Sequence, residues 1–588
     1  MAFSDQEKSL SGCLWKAIPY DALVTEAISQ KYNLPILVAS IMSARGIKVD
    51  NAMFYVDSKL QNLMPNPSVM KDMDKASSKI AEAIMQGKKI GIIGDYDVDG
   101  ATSSSVMRLF LESVGVSVVV HIPDREEGYG PSELAFDKFK AQGIDFVITT
   151  DCGTTAFDIL SYAKKQGFDV IVLDHHEAEA RLPEACAVVN PKRLDDNNEY
   201  PYLKYMAAVG VVYMTIIAIN RELRKQGYYK SHSEPNMLQW LDLVALGTIC
   251  DVVPLIGLNR AFVRQGLKIM AQRQNIGLKA LSDKSGLTEA PTTYHLGYVL
   301  GPRINAGGRV GDSSLGNKLL CCHDENEANM LATKLDEFNI QRKDIESYVL
   351  EDAITMIESK SSEYPIAFVA GKNWHQGVIG IVAGKLKERY NVPSFVMSIE
   401  NDEVKGSARS IPQIDLGALI ISAKEKGIIT KGGGHVMAAG YSLEENKIEE
   451  FRVFVGEYVK QHLGDEAIVP VIEYDGILDL RGATEELAEQ LELLEPYGAG
   501  NTEPKLVIKN VRFKKASIVG SAHVKCFLSS ENGGSLKSIA FRAADSDLGK
   551  TMLASHNDVF DVLGILRRDT WMGRSSVQFI IEDAKRVI

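Results

Sequence analysis

The chain has 588 residues, 45% of them hydrophobic and 24% charged, which is enough for several cored domains and too apolar for a disordered polypeptide. Its formal charge of -12 excludes a protein that coats nucleic acid through bulk basicity, yet leaves room for a local basic groove. Seven cysteines without a C-x-x-C pair exclude a zinc ribbon and a disulfide framework, and a reducing cytoplasm is the expected compartment.

The opening residues, MAFSDQEKSL, lack a basic stretch followed by an apolar one, so no secretory signal is expected. Residues 1–75 mix short helical patterns with Pro65 and Pro67 and read as an N-terminal helical cap ahead of the main domain. Across 76–325, apolar runs (KIGIIG, SVVVHI, DFVITT, DVIVL) alternate with amphipathic stretches such as ATSSSVMRLFLESVG and TAFDILSYAKKQG. This alternation predicts a parallel α/β sheet buried on both faces. The longest apolar run, Met206 to Ile219, is shorter than the ~18 to 20 residues of a membrane span and reads as a buried helix, so no membrane association is expected. A connecting helix is expected over 326–362, and a smaller α/β unit over 363–465 around PIAFVA, GVIGIVAGKLKERY and PSFVMSI. Over 466–588 the texture changes to five or six short strands with little helix, which predicts an OB-type β-barrel.

Ligands of an open parallel sheet gather beyond the carboxyl ends of its strands, so the residues that follow each strand are the candidates. These are Asp95, Asp97 and Asp99 in GDYDVDG, Asp151 in TTDCG, and Asp174, His175 and His176 in LDHH. A fourth segment, LVALGTICDVVPL, sets Asp251 among apolar residues, where a lone carboxylate is costly unless paired or metal-bound. Asp and His without Cys form a hard ligand set suited to Mn²⁺ or Mg²⁺. Two such ions roughly 4 Å apart imply phosphoester hydrolysis. Each element also has a plainer reading. The D-x-D-x-D-G run resembles a calcium loop, although no glutamate occupies its twelfth position. Asp151 alone would serve as a helix N-cap, His175 and His176 as a surface or core pair, and Asp251 as a helix-terminal acid.

In chain order, GDYDVDGATS, TTDCGT, LDHHEAE and LGTICDVVPL resemble the four motifs of the DHH phosphoesterase family. The later GPRINAGGRVGDSSLG, GSARS and KGGGHVMAAG narrow the resemblance to the RecJ group of single-stranded-DNA-specific 5'-to-3' exonucleases. The resemblance implies a DHH parallel-sheet domain, a smaller DHHA1 domain and a C-terminal OB-type barrel. It makes Asp97, Asp99, Asp151, His175 and Asp251 the metal ligands of two divalent ions, with Asp95 binding directly or through water. Asp174 would orient His175, and His176 would face the scissile phosphate. Ile93 stands where many relatives have a histidine, so the first metal site is expected to be completed differently.

In the DHHA1-like unit, Trp374 and His375 stand at a helix N-terminus suited to phosphate, Ser407 and Arg409 would grip an anionic end, and Gly432, Gly433 and Gly434 would admit phosphate beside His435. Arg303, Asn305 and Arg309 would hold the nucleic-acid backbone, with Arg125 and Tyr129 touching the strand near the cleft. On the barrel, Arg512, Lys514, Lys515, Arg567, Arg568, Trp571 and Arg574 interleave basic and aromatic character, as single-strand-binding barrels do, or form a solvated face around a structural barrel. Single-stranded DNA is the implied substrate, in repair and recombination, with a helicase and a single-strand-binding protein as implied partners of a monomer. Two other readings remain at this point: a phosphodiesterase for short oligonucleotides or cyclic dinucleotides, and a non-catalytic single-strand-binding scaffold.

Overall fold

A computed structural model of the chain describes residues 8–125, 127–196, 200–359, 363–464, 469–555, 557–571 and 574–587. The first sheet has five strands, in the order Val118–His121, Ile90–Ile93, Phe146–Thr150, Asp169–Leu173, Ala187–Val189, and every pairing is parallel. Helices cover both faces, as such β-branched runs require. Val98–Ser113 and Ala208–Lys225 build the large core on one face, while Phe136, Phe139 and Leu160 cover the other. The last strand is only three residues long and sits outside the expected set, because so short a run carries no readable alternation.

The strand first in sequence lies second in the sheet, between the two that follow it. The connections leaving Ile90–Ile93 and Phe146–Thr150 therefore diverge, and a crevice opens beyond their carboxyl ends, where ligands of such sheets bind. GDYDVDG, TTDCG and LDHH all emerge at that edge.

Helix Glu325–Glu358 runs for 34 residues, roughly 50 Å at 1.5 Å per residue. Ala328, Leu331 and Leu335 on its first half belong to the core of the parallel-sheet domain, whereas Val349 and Ala353 belong to the core of the second unit. It is a rigid joint between the two. The second sheet runs Lys431–His435, Ala438–Glu444, Glu403–Arg409, Ser394–Glu400, Ala367–Lys372, antiparallel except for the last pair. Helix Gln376–Tyr390 covers one face, and Leu416–Glu425 with Ile448–Leu463 the other.

The C-terminal strands Leu506–Val519, His523–Ser530, Ser535–Ala540, Arg574–Arg586 and Phe560–Trp571 close into a barrel, the last pairing back onto the first. The N-terminal helices do not sit on the parallel sheet. Ile28, Val38, Ile41 and Met42 share their core with the barrel, and strand Leu14–Ala17 pairs with Val471–Tyr474. Arg260, 1% exposed, fastens this composite to the parallel-sheet domain by donating to the Tyr55 carbonyl, the Ser58 hydroxyl and the Glu495 carbonyl at 2.9, 3.1 and 2.5 Å. Among the described residues no helix is long and apolar enough to cross a membrane.

Candidate metal centre and nucleic-acid cleft

Asp97 caps helix Val98–Ser113, accepting from the Gly100 N–H at 2.9 Å. A Cβ at position 100 would collide with the Asp95 backbone, so glycine lets the acidic loop fold back on the helix start. Asp99, in the first turn, accepts from the N–H groups of Ala208 and Val209 at 2.6 and 3.0 Å, at the positive end of helix Ala208–Lys225. Asp151 has φ +63° and leaves its strand in a left-handed turn. The helix that follows, Phe157–Lys165, has Ala156 at its N-cap and no side-chain cap, so the plain capping reading of Asp151 fails. Asp251 ends helix Leu241–Cys250, and Val252 behind it is held at φ +57°, a strained conformation for a β-branched residue.

These carboxylates converge on His175. Its Nε2 lies 3.3 Å from Asp151 and 3.8 Å from Asp99, while its Nδ1 lies 3.1 Å from the Met206 carbonyl and 3.6 Å from Asp251. With Nδ1–H donated to Met206, the Nε2 lone pair points at the acids, the arrangement of a metal-binding imidazole. Burial, then the neighbouring His176, pushes the His175 pKa down to about 3, so the ring is neutral.

Three overlapping groups each bring their ligand atoms within 4.8 Å of one another: Asp95, Asp97 and Asp151; Asp99, His175 and Asp251; and Asp151, His175 and His176. Burial first, and then neighbouring carboxylates, raise Asp95 to about 8, Asp99 to about 7 and Asp251 to about 9, and lift Asp151 far above the usual range. Asp95 Oδ1 and Asp151 Oδ1 are buried without a hydrogen-bond partner among the described residues. Carboxylates so crowded and dry call for a cation, and the oxygen-rich donor set fits hard divalent ions. Ile93 points into the apolar cluster of Phe136 and Phe139, and Asp95 stands beside Asp97 and Asp151 in the first group.

Asp174 departs from its expected role. Its carboxylate accepts from the His176 ring at 2.7 Å and from the backbone N–H groups of Thr154, His175 and His176, and does not reach the His175 ring. Burial opposes charge on His176, but Asp174 prevails and raises the pKa of the ring. Tyr129 donates to the Asp151 carbonyl at 2.9 Å, and its hydroxyl lies 3.2 Å from His176 Nε2.

Beside this acidic cluster lies its opposite. Arg309 donates to the Gly377 carbonyl at 2.9 Å, at the start of helix Gln376–Tyr390, and Arg409 donates to Ser407 Oγ and the Ala408 carbonyl at 3.1 and 2.9 Å. A Cβ on Gly380, one turn along that helix, would sit 3.2 Å from the Arg409 guanidinium. Arg125 donates to the Gly308 carbonyl at 2.6 Å with its guanidinium over the Tyr96 ring. Burial, then Arg125 and Arg342, press Arg309 down to about 10. Among the described residues none of Arg125, Arg309 and Arg409 has a carboxylate partner.

Family models for the DHH family N-terminal domain, the DHHA1 domain and the RecJ OB domain match residues 89–248, 363–461 and 474–583. The chain is 34% identical over 576 residues to the single-stranded-DNA-specific exonuclease RecJ of Escherichia coli (strain K12), covering 95% of this chain and 97% of that protein. The chain belongs to the RecJ family. The RecJ of Bacillus subtilis (strain 168) is 33% identical over 97% of this chain and 70% of its own length. The crystal structure of RecJ in complex with Mn²⁺ from Thermus thermophilus superposes with a TM-score of 0.81 at 26% identity, over 98% of this chain and 80% of that one.

Within the RecJ frame, several expected substrate residues stand elsewhere. Trp374 is 3% exposed, packs in the core and donates to Asp352 at 3.0 Å, so it supports the helix start from within the core. His375 caps that helix, its Nδ1 accepting from the Gly377 N–H at 3.0 Å. Arg303 is committed to Asp336 at 2.8 Å, tying its helix to the long connecting helix, and is not free to hold a strand. Asn305 is half-buried on the same helix. Gly432, Gly433 and Gly434 form an edge strand paired with Tyr441, Gly440 and Ala439, not a loose loop. A Cβ on Gly433 would meet nothing within 4 Å, and His435 beside it is exposed.

On the barrel, Arg512, Arg567 and Arg568 are ion-paired with Glu531, Glu503 and Glu492, which neutralises these three members of the expected basic face. Lys515 sits at φ +52° in a bulge. The side chains of Trp571 and Arg574 lie outside the described residues. The sequence reading passed over Phe527, 41% exposed and cross-strand from both Lys514 and Lys537; its outward place in the alternation of HVKCFLSS was the available signal. It also passed over Tyr96 and the Met206 carbonyl, and a backbone oxygen has no signature in sequence.

Proposed function

We propose that the chain is a metal-dependent exonuclease that hydrolyses single-stranded DNA from its 5' end, threading one strand between the parallel-sheet domain and the DHHA1 unit. One observation carries the reading: among the described residues, buried carboxylates with no lysine or arginine partner stand beside half-buried guanidiniums with no carboxylate partner, which is what a polyanion held against divalent ions requires. The RecJ relatives, named as single-stranded-DNA-specific exonucleases, support the substrate, and the Thermus thermophilus structures titled with Mn²⁺ and Mg²⁺ support the cofactor.

Asp95, Asp97 and Asp151 would hold one ion and Asp99, His175 and Asp251 the other, with Asp151 and His175 lying between the groups. When bound, such a pair lowers the pKa of a water and polarises a phosphoryl oxygen. The remaining work belongs to side chains. Arg309, Arg409 and Ser407 bind phosphate oxygens, Arg125 over Tyr96 fixes the loop that carries the acids, and His176, held through Nδ1 by the Asp174 carboxylate, faces the scissile phosphate. On this reading the chain acts as a cytoplasmic monomer in repair and recombination and receives its strand from a helicase and a single-strand-binding protein.

The test is to incubate the protein with Mn²⁺ and a long single strand labelled at either end, beside duplex and dinucleotide. Mononucleotides released from the 5' end of the single strand alone are expected. Preference for the dinucleotide sinks the proposal, and binding without cleavage favours a scaffold.

A further inference from the structure

The helix that carries Arg309, Gly301–Val310, is entered through an irregular turn. Residues His295–Leu300 form a wide π-helical turn, a rare geometry that concentrates at functional sites. Tyr294 and Tyr298 project from it, 61% and 74% exposed, with ring centroids 5.2 Å apart and planes inclined by 27°. Two large aromatic faces are thus stacked on each other and open to solvent. The turn is braced from beneath, because Thr292 N–H donates to His295 Nδ1 at 3.0 Å and His295 Nε2 lies 3.2 Å from Glu289.

Its position gives the pair meaning. A Cβ on Gly297 would lie 3.4 Å from Ile249, and one on Gly301 would collide with the Cys250 sulfur, so the turn is seated on the two residues that precede Asp251. From the other side, Gly498 of the segment leading into the barrel abuts Leu255 and Ile249, and the Leu255 N–H donates to the Ala499 carbonyl at 2.8 Å. At the far end of the same helix, Gly308 and Arg309 reach Tyr96 and Gly377. The tyrosine pair therefore lies where the barrel segment meets the Asp251 edge of the cluster. The guanidinium group lies at the opposite end, about 15 Å along a ten-residue helix.

We propose that Tyr294 and Tyr298 form a stacking platform for nucleobases of the single strand between the barrel and the metal centre. The inference rests on the exonuclease reading above and adds to it a binding site for bases where the phosphate contacts supply none. Each base offers a π-face, so the platform tolerates any sequence, and it requires an unpaired strand because bases in a duplex already stack on each other. Binding by rings alone needs no hydroxyl, so phenylalanine serves as well as tyrosine.

The experiment uses the full chain with Mn²⁺ and a single strand about 20 nucleotides long. For the Tyr294→Ala/Tyr298→Ala double variant, KM is expected to rise roughly ten- to hundredfold with kcat within about twofold, since stacking contributes on that scale per base. The double phenylalanine variant should restore the wild-type KM. A Tyr298→Trp variant should lose indole fluorescence on adding the strand in EDTA, which reads stacking directly and is independent of catalysis. An alanine variant with wild-type KM, or a tryptophan whose emission ignores the strand, overturns the platform while leaving the exonuclease reading intact. Failure of the wild type to cleave the strand removes the reading, and the inference with it.

Discussion

At the cleft, Arg125, Arg309 and Arg409 donate to backbone carbonyls and a serine hydroxyl, whereas on the barrel Arg512, Arg567 and Arg568 each reach a glutamate. The acids follow the same division. Asp95 and Asp151 have buried oxygens with no hydrogen-bond partner among the described residues, while Glu503 and Glu492 are neutralised by arginines of the barrel. Basic residues count toward phosphate binding only where nothing nearby has already cancelled them, and exposed pairs add little to stability, typically about 0–1 kcal/mol. The cleft gives up stability that the ligand restores, and the barrel keeps its charges for itself.

This contrast can be broken at its strongest point first. Asp151→Asn should reduce cleavage on the order of 10³-fold or more in single-turnover assays, because it removes the acid shared by two ligand groups. Without metal the same variant should melt no lower than the wild type, since burial and the neighbouring carboxylates already oppose charge on this acid. Mn²⁺ at about 100 times its Kd should stabilise the wild type by about 2.7 kcal/mol and this variant far less, as thermal unfolding would read. Equal stabilisation would mean that the cluster is not the metal site.

Arg309→Gln should come next, costing about 10²-fold in kcat/KM, because a half-buried guanidinium with no carboxylate partner among the described residues is replaced by a neutral group. Arg409→Gln should cost about tenfold and lower the slope of log affinity against log salt by about 1. Arg567→Gln and Arg568→Gln should change strand affinity by less than about twofold, since each removes a charge already paired. A barrel variant that matched Arg309→Gln would reverse the comparison.

Much of the site was legible in the chain because parallel strands place their following loops at one edge, so GDYDVDG, TTDCG and LDHH had to meet. The five barrel strands were legible from alternation, and the joining helix from its length. What failed concerned partners. Asp174 was assigned to the wrong histidine by one position, Trp374 was placed in a cleft when its indole lies in a core, and Arg303 was given to a strand when Asp336 holds it. Motif spacing says which residues recur together and nothing about which atom each one reaches.

By itself, then, the sequence determined two α/β units and a C-terminal barrel through local periodicity, and its strand-end loops and family motifs singled out the acidic and imidazole cluster. Tertiary structure alone decided which charges are free. Arg568 finds Glu492 at a separation of 76 residues and Arg567 finds Glu503 at 64, and the N-terminal helices join a barrel that begins hundreds of residues later. Charge cancellation is a matter of a few ångströms between segments distant in the chain, and only the folded packing sets that distance.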